Sequence, residues 1–111
     1  MSMAQYCIHV PTHDELSNRL RVHHAVHQHL LSQGHAHPTI NEGYPYHQVT
    51  TWAEESPEMD SRMKQIGQQA AQVANVPRLW VSRQGKAPAH WELHNKHYVP
   101  GEGARLASFV P

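Results

Sequence analysis

Residues 56 to 75, "SPEMDSRMKQIGQQAAQVAN", narrow the possible folds more than any other segment. A capping serine, a proline at the first helical position and an acid directly after it are a helix start. Met59, Met63, Ile66, Ala70 and Val73 then recur at helical spacing as far as about Asn75. A helix with one apolar stripe must bury that stripe against another layer. The rest of the chain has to supply it.

The remaining patterns provide strands and a second helix. "AQYCIHV", residues 4 to 10, alternates and stops at Pro11, so it reads as a strand. Thr12 and Glu15 have capping-box spacing, which predicts a helix running to about Gln33, with Gly34 as its stop. Residues 35 to 45 carry two prolines and a glycine and read as a loop. "YHQVTTWA", residues 46 to 53, is β-branched and aromatic and predicts the second strand. "RLWVS", "RQGK" and "PAHWELHNKHYV" read as a closing hairpin, and residues 100 to 111 as an irregular C-terminal arm. The order is strand, helix, strand, helix, strand, strand. One domain spans residues 1 to 111, with a two-layer α+β fold: a small, mostly antiparallel sheet with two amphipathic helices on one face.

Composition limits the function. Nine basic residues balance nine acidic ones, which argues against a protein held to nucleic acid by bulk charge, where a basic stripe is expected. No apolar run approaches the ~18 residues of a membrane span, and nothing resembles a signal peptide. The expectation is a protein made in the cytoplasm. Cys7 is the only cysteine, which rules out an internal disulfide, a CxxC pair and a thiolate zinc site. Its apolar flanks predict a buried thiol and not a nucleophile. Twelve histidines make the chain strongly cationic once the pH falls below about 6.5.

Six of those histidines lie in residues 21 to 37, "RVHHAVHQHLLSQGHAH". Projected at about 100° per residue, Leu16, Leu20, Leu30 and Leu31 define the apolar face of the first helix. His23 and His27 fall in the middle of that face, His24 at its margin, and His29 points away. Imidazoles at i and i+4 can share a transition metal, zinc or nickel, so His23 and His27 are the candidate metal pair. The same two side chains can instead be satisfied packing groups, or act as acid and base. His35 and His37 form a His-x-His fragment in a loop, a weaker metal signal. In "HWELH", His90, Glu92 and His94 share one face of a strand. His90 and His94 are about 13 Å apart there, too far to bind one ion unaided.

No glycine-rich phosphate loop, GxSxG elbow or HExxH helix occurs. Trp52, Trp80 and Trp91 fall in strands and read as core or interface anchors. The tail ends in an apolar Phe109-Val110-Pro111 with no local pattern to bury it. Such a tail has to cover its own core or enter a neighbour. Phe109 and Val110, with Trp52 and Trp91, are therefore the candidate interface, and the expected partners are further copies of the chain and other protein subunits.

Two resemblances to known families extend this reading. Residues 44 to 98 resemble the tail-terminator and tail-completion proteins of long-tailed bacteriophages. The likeness is carried by "YPYHQVTTWAEES": a strand leaves a proline-containing loop, ends at "WAE" and passes directly into an amphipathic helix, and a hairpin follows. It implies a small ring-forming, non-enzymatic structural subunit, built into a virus particle, with no catalytic residues to carry over. The opening strand "QYCIHV" departs from that group's usual start. "VHQHLLSQG" is similar to the helix holding the catalytic histidine of the repeat-processing endoribonucleases of type I-F CRISPR systems, which would place that role on His27. "HPT" and "PYHQV" are similar to their later linker. This chain is far shorter, however, and its second helix lacks the arginine row that would hold RNA.

Overall fold

A computed structural model of the chain describes residues 3–10, 16–35, 38–41, 48–76, 79–84, 91–94, 97–100 and 105–108. Its elements in chain order are β1 (Met3–His9), α1 (Leu16–Ser32), β2 (Thr39–Asn41), β3 (Gln48–Glu54), α2 (Pro57–Ala74), β4 (Trp80–Gln84), β5 (Trp91–His94), β6 (His97–Pro100) and β7 (Arg105–Ser108). The fold is α+β in two layers. A five-stranded antiparallel sheet has the order β2-β3-β1-β4-β7, and β5 pairs with β6 in a separate two-stranded sheet. The first six elements run β-α-β-β-α-β, with β1 between β3 and β4. That is the split β-α-β arrangement of ferredoxin-like domains.

Three expectations about the strands need correction. The segment read as a loop over residues 35 to 45 contains β2, which pairs Thr39, Ile40 and Asn41 with Thr50, Val49 and Gln48. Three residues next to prolines and a glycine carry too little alternation to be read as a strand. The "RLWVS" segment does not close a hairpin with the strand after it. β4 pairs instead with β1, more than seventy residues upstream (His9 opposite Trp80, Ile8 opposite Val81), and the hairpin is formed by β5 and β6. The C-terminal arm is not irregular throughout, because β7 pairs with β4 through a register shift at Val81 and Ser82. Such a shift breaks the simple alternation a strand is recognised by.

The helices form as their capping chemistry dictates. Ser56 is extended and accepts a hydrogen bond from the Met59 N–H at 3.0 Å, while Glu58 and Asp60 sit at the positive end of the α2 dipole. Asn75 closes α2 in the left-handed region (φ 55°) and Gly34 does the same for α1 (φ 86°). The capping box expected at Thr12 and Glu15 lies outside the described residues.

The core lies between the helices and one sheet face. Val22, Val26 and Leu30 of α1 and Met63, Ile66 and Ala70 of α2 meet Tyr6, Ile8, Val49 and Val81. Two helix faces were drawn slightly wrong. Leu31 is 42% exposed, because the stripe of α1 runs through Val22, Val26 and Leu30 and leaves residue 31 on its outer shoulder. Val73 is 62% exposed and Ala74 is buried in its place. The buried run of α2 (63, 66, 67, 70, 71, 74) contains Gly67, Ala70, Ala71 and Ala74, small residues that allow close approach to the neighbouring layer. Arg21 donates to the Ala74 carbonyl oxygen and Arg62 to that of Gln33, so the helices are also tied end to end. Among the described residues, no helix is long and apolar enough to cross a membrane.

Candidate interaction face

The sheet face away from the helices is graded from closed to open. Alternation places Met3, Gln5, Cys7 and His9 of β1 on it, beside Gln48, Thr50, Trp52 and Glu54 of β3 and Trp80 and Ser82 of β4. At one end the row Gln48–His9–Trp80 and the row Thr50–Cys7–Ser82 are buried. At the other end the next rows open to solvent. Trp52 is 61% exposed and Met3 57% exposed, and Glu54 is exposed beside them. Trp52 stands directly opposite Gln5, so Met3, two residues along the same face, is its diagonal neighbour. An exposed indole next to an exposed thioether makes a compact apolar patch on two central strands.

At the closed end Cys7 is joined by two polar side chains that the sequence did not single out, His9 and Ser82. His9 Nε2 lies 2.6 Å from Ser82 Oγ, and Ser82 also hydrogen-bonds Cys7. Burial lowers the His9 imidazole to about 3 and raises the Cys7 thiol to about 12. At neutral pH the group is therefore a neutral imidazole, a hydroxyl and a thiol. All three side chains are buried, and Ser82 links the imidazole of His9 to the thiol of Cys7. Cys7 is buried, as its flanks predict. His9 could have been noticed because "QYCIHV" puts it on the same face as Cys7. Ser82 gave no signal, since only the β1–β4 pairing brings it there.

On the helix side, Tyr6 donates to Asp60 Oδ1 at 2.7 Å and Arg83 donates to Asp60 Oδ2 at 2.6 Å, with Glu55 3.5 Å from Arg83 Nε. This network joins the first turn of α2 to β1 and β4. Burial, then the Asp60 carboxylate, raise the Tyr6 phenol to about 12. A shallow polar groove of about 580 Å³ lies where α2 meets the end of α1, lined by Ser61, Arg62, Gln65, Ile66 and Gln69 of α2 and by Gln33.

The candidate histidines separate by depth. His23 is fully buried with the core residues of α1, whereas His27, one turn later, is half-buried. Among the described residues, no three His, Cys, Asp or Glu side chains gather into a metal-holding group. His29 points away from the apolar stripe, as the projection suggested, and meets an exposed residue of α2. Its Nε2 is 3.0 Å from Gln69 Oε1, because α2 packs along that flank of α1. His35 is half-buried, and burial, then the nearby Arg62, lower its pKa. Of the candidate interface residues, Trp52 lies on the open face. Trp91 begins β5, its side chain lying outside the described residues, as do Phe109, Val110, His37 and His90.

No known protein family, no curated protein sequence and no solved structure matches this chain.

Proposed function

We propose that the chain is a non-enzymatic subunit of a homo-oligomeric assembly, and that it meets other copies through the open end of the sheet around Trp52. The exposed Trp52–Met3 pair carries this reading. Tryptophan is a residue type that anchors protein contacts, and exposed apolar patches on small domains mark places where another surface docks. A formal charge of zero removes long-range repulsion between copies near neutral pH. The polar cluster at the closed end agrees with this reading, because its serine and cysteine are both buried. Within this class, the likeness of residues 44 to 98 to tail-terminator and tail-completion subunits favours a phage tail or connector ring, in which other virion subunits are further partners.

Sedimentation velocity across a range of concentrations tests the proposal. The chain should form a discrete larger species, and Trp52→Ser should shift it toward monomer without changing the circular dichroism spectrum. A chain that stays monomeric at every concentration sinks the reading. So does an oligomer that Trp52→Ser leaves untouched.

A further inference from the structure

α1 sends its four histidines to three different surroundings. His23 is buried in the core and His29 meets Gln69 of α2, whereas His24 is exposed and His27 half-buried. His24 and His27 lie on one stripe with Leu20, half-buried, and Leu31, 42% exposed. At about 3.6 residues per turn, the stripe is centred roughly 130° around α1 from Arg21 and His29, which reach α2. Arg21 is the only Lys, Arg, Asp or Glu from residue 20 to 31, and its guanidinium bonds Asn18 and the Ala74 carbonyl oxygen. The stripe thus carries no fixed charge. Its order, Leu20–His24–His27–Leu31, has steps of four, three and four, so it reads the same from either end. These are also the steps of the seam along which two helices pack.

We infer that two copies pair antiparallel along this stripe and hold one transition-metal ion between them, with His24 and His27 of each copy as its four ligands. One chain supplies two imidazoles at i and i+3, with Cβ atoms about 5 to 6 Å apart, which leaves a tetrahedral ion half coordinated. A second copy completes the set with the same two residues, because a two-fold contact uses one surface on both partners. With the axis between residues 25 and 26, His24 of each copy stands opposite His27 of the other, and Leu20 opposite Leu31. The leucine pairs close both ends of the site and bury apolar surface. Imidazole nitrogens suit zinc, nickel and copper. His24 thus takes the place of His23 in the candidate metal pair, because His23 is enclosed in the core. The contact lies on the helix layer, opposite the sheet face that carries Trp52. It goes beyond the assembly reading and does not depend on it.

Zinc titration of the full chain, followed by calorimetry and sedimentation velocity in the parent and in Trp52→Ser, decides the matter. Each should bind one high-affinity zinc per two chains. In Trp52→Ser, zinc should convert monomer to dimer, and a chelator should reverse it. His24→Ala with His27→Ala should lower zinc affinity by about tenfold or more and abolish that dimer, since alanine keeps the helix intact. Leu31→Arg leaves every imidazole in place and should also block the dimer, by setting a charge against Leu20 on both sides of the axis. Zinc bound one per chain without a change in mass overturns the inference. A zinc-dependent dimer that survives the double substitution also overturns it, since other histidines then hold the metal. Should Trp52→Ser already be oligomeric in chelator, the assembly reading through Trp52 fails, while the zinc ratio and the double substitution still judge this site.

Discussion

His9 Nε2 and Ser82 Oγ lie 2.6 Å apart on the helix-free side of the sheet, on adjacent strands and out of contact with solvent. An imidazole held there stays neutral far below its ordinary range, because burial disfavours the cation. The unfolded chain takes up a proton near pH 6.5, whereas the folded one resists until about pH 3. Stability from this group is therefore present above pH 6.5 and is lost as the pH falls toward 3, at roughly 1.4 kcal/mol per pH unit. Urea denaturation between pH 7 and pH 4 should show that decline, and His9→Gln should flatten it. A His9→Gln profile as steep as the parent's would assign the acid sensitivity to other histidines.

The Tyr6–Asp60 hydrogen bond makes an opposite prediction at high pH. The Tyr6 phenol is held neutral in the fold to about 12, by burial first and by the Asp60 carboxylate second. Its contribution is complete below pH 10 and is lost as the pH rises from 10 to 12. Ultraviolet titration should reveal one late phenol that is missing in Tyr6→Phe. In Asp60→Asn that phenol should ionise earlier, while burial still keeps it above its ordinary value. Asp60→Ala should cost about 1 to 3 kcal/mol, since Tyr6 and Arg83 lose a shared acceptor.

Ile66 and Val73 were read as one stripe but stand in opposite environments. Ile66→Ala should destabilise by about 2 to 5 kcal/mol, the range for truncating a fully buried aliphatic side chain. Val73→Ala should stay within about 0.5 kcal/mol of the parent, as exposed substitutions do. Equal effects in chemical denaturation would mean that α2 is rotated from the orientation described.

Gly34 and Asn75 end their helices with the same left-handed backbone, one without a Cβ and one with it. An added Cβ at Gly34 meets nothing within 4 Å, so Gly34→Ala should cost only the backbone penalty, about 1 kcal/mol. Asn75→Gly should be neutral or mildly stabilising, since glycine carries no steric penalty there. Thermal melting of the two variants compares them directly.

The layers and both helices were legible because caps and periodicity are local. Ser56, Pro57 and Met59 mark the start of α2 within four residues, and Gly34 marks the end of α1 in one. The pairing of β1 with β4 was not legible, because nothing in "RLWVS" distinguishes a neighbour in sequence from a strand seventy residues away. The candidate site was legible only in Trp52. Its exposure depends on a face of the sheet that closes over Cys7 and His9 and opens over Gln5 and Met3. A run of alternating residues does not say where along its length the cover ends.

β1 is flanked by two strands that both come later in the chain, and this sets the order of events during synthesis. Its alternating, largely apolar surface leaves the ribosome before either neighbour exists. β3 supplies one edge only after residue 48, and β4 the other only after residue 80. Both edges of β1 are open until β3 is made and one stays open until β4 is, the kind of segment that misassembles or engages chaperones. Both pairings also span long stretches of sequence, which places the chain among the slower folders of its size. β1 is enclosed only once β4 is in place, and β4 waits in turn for β7.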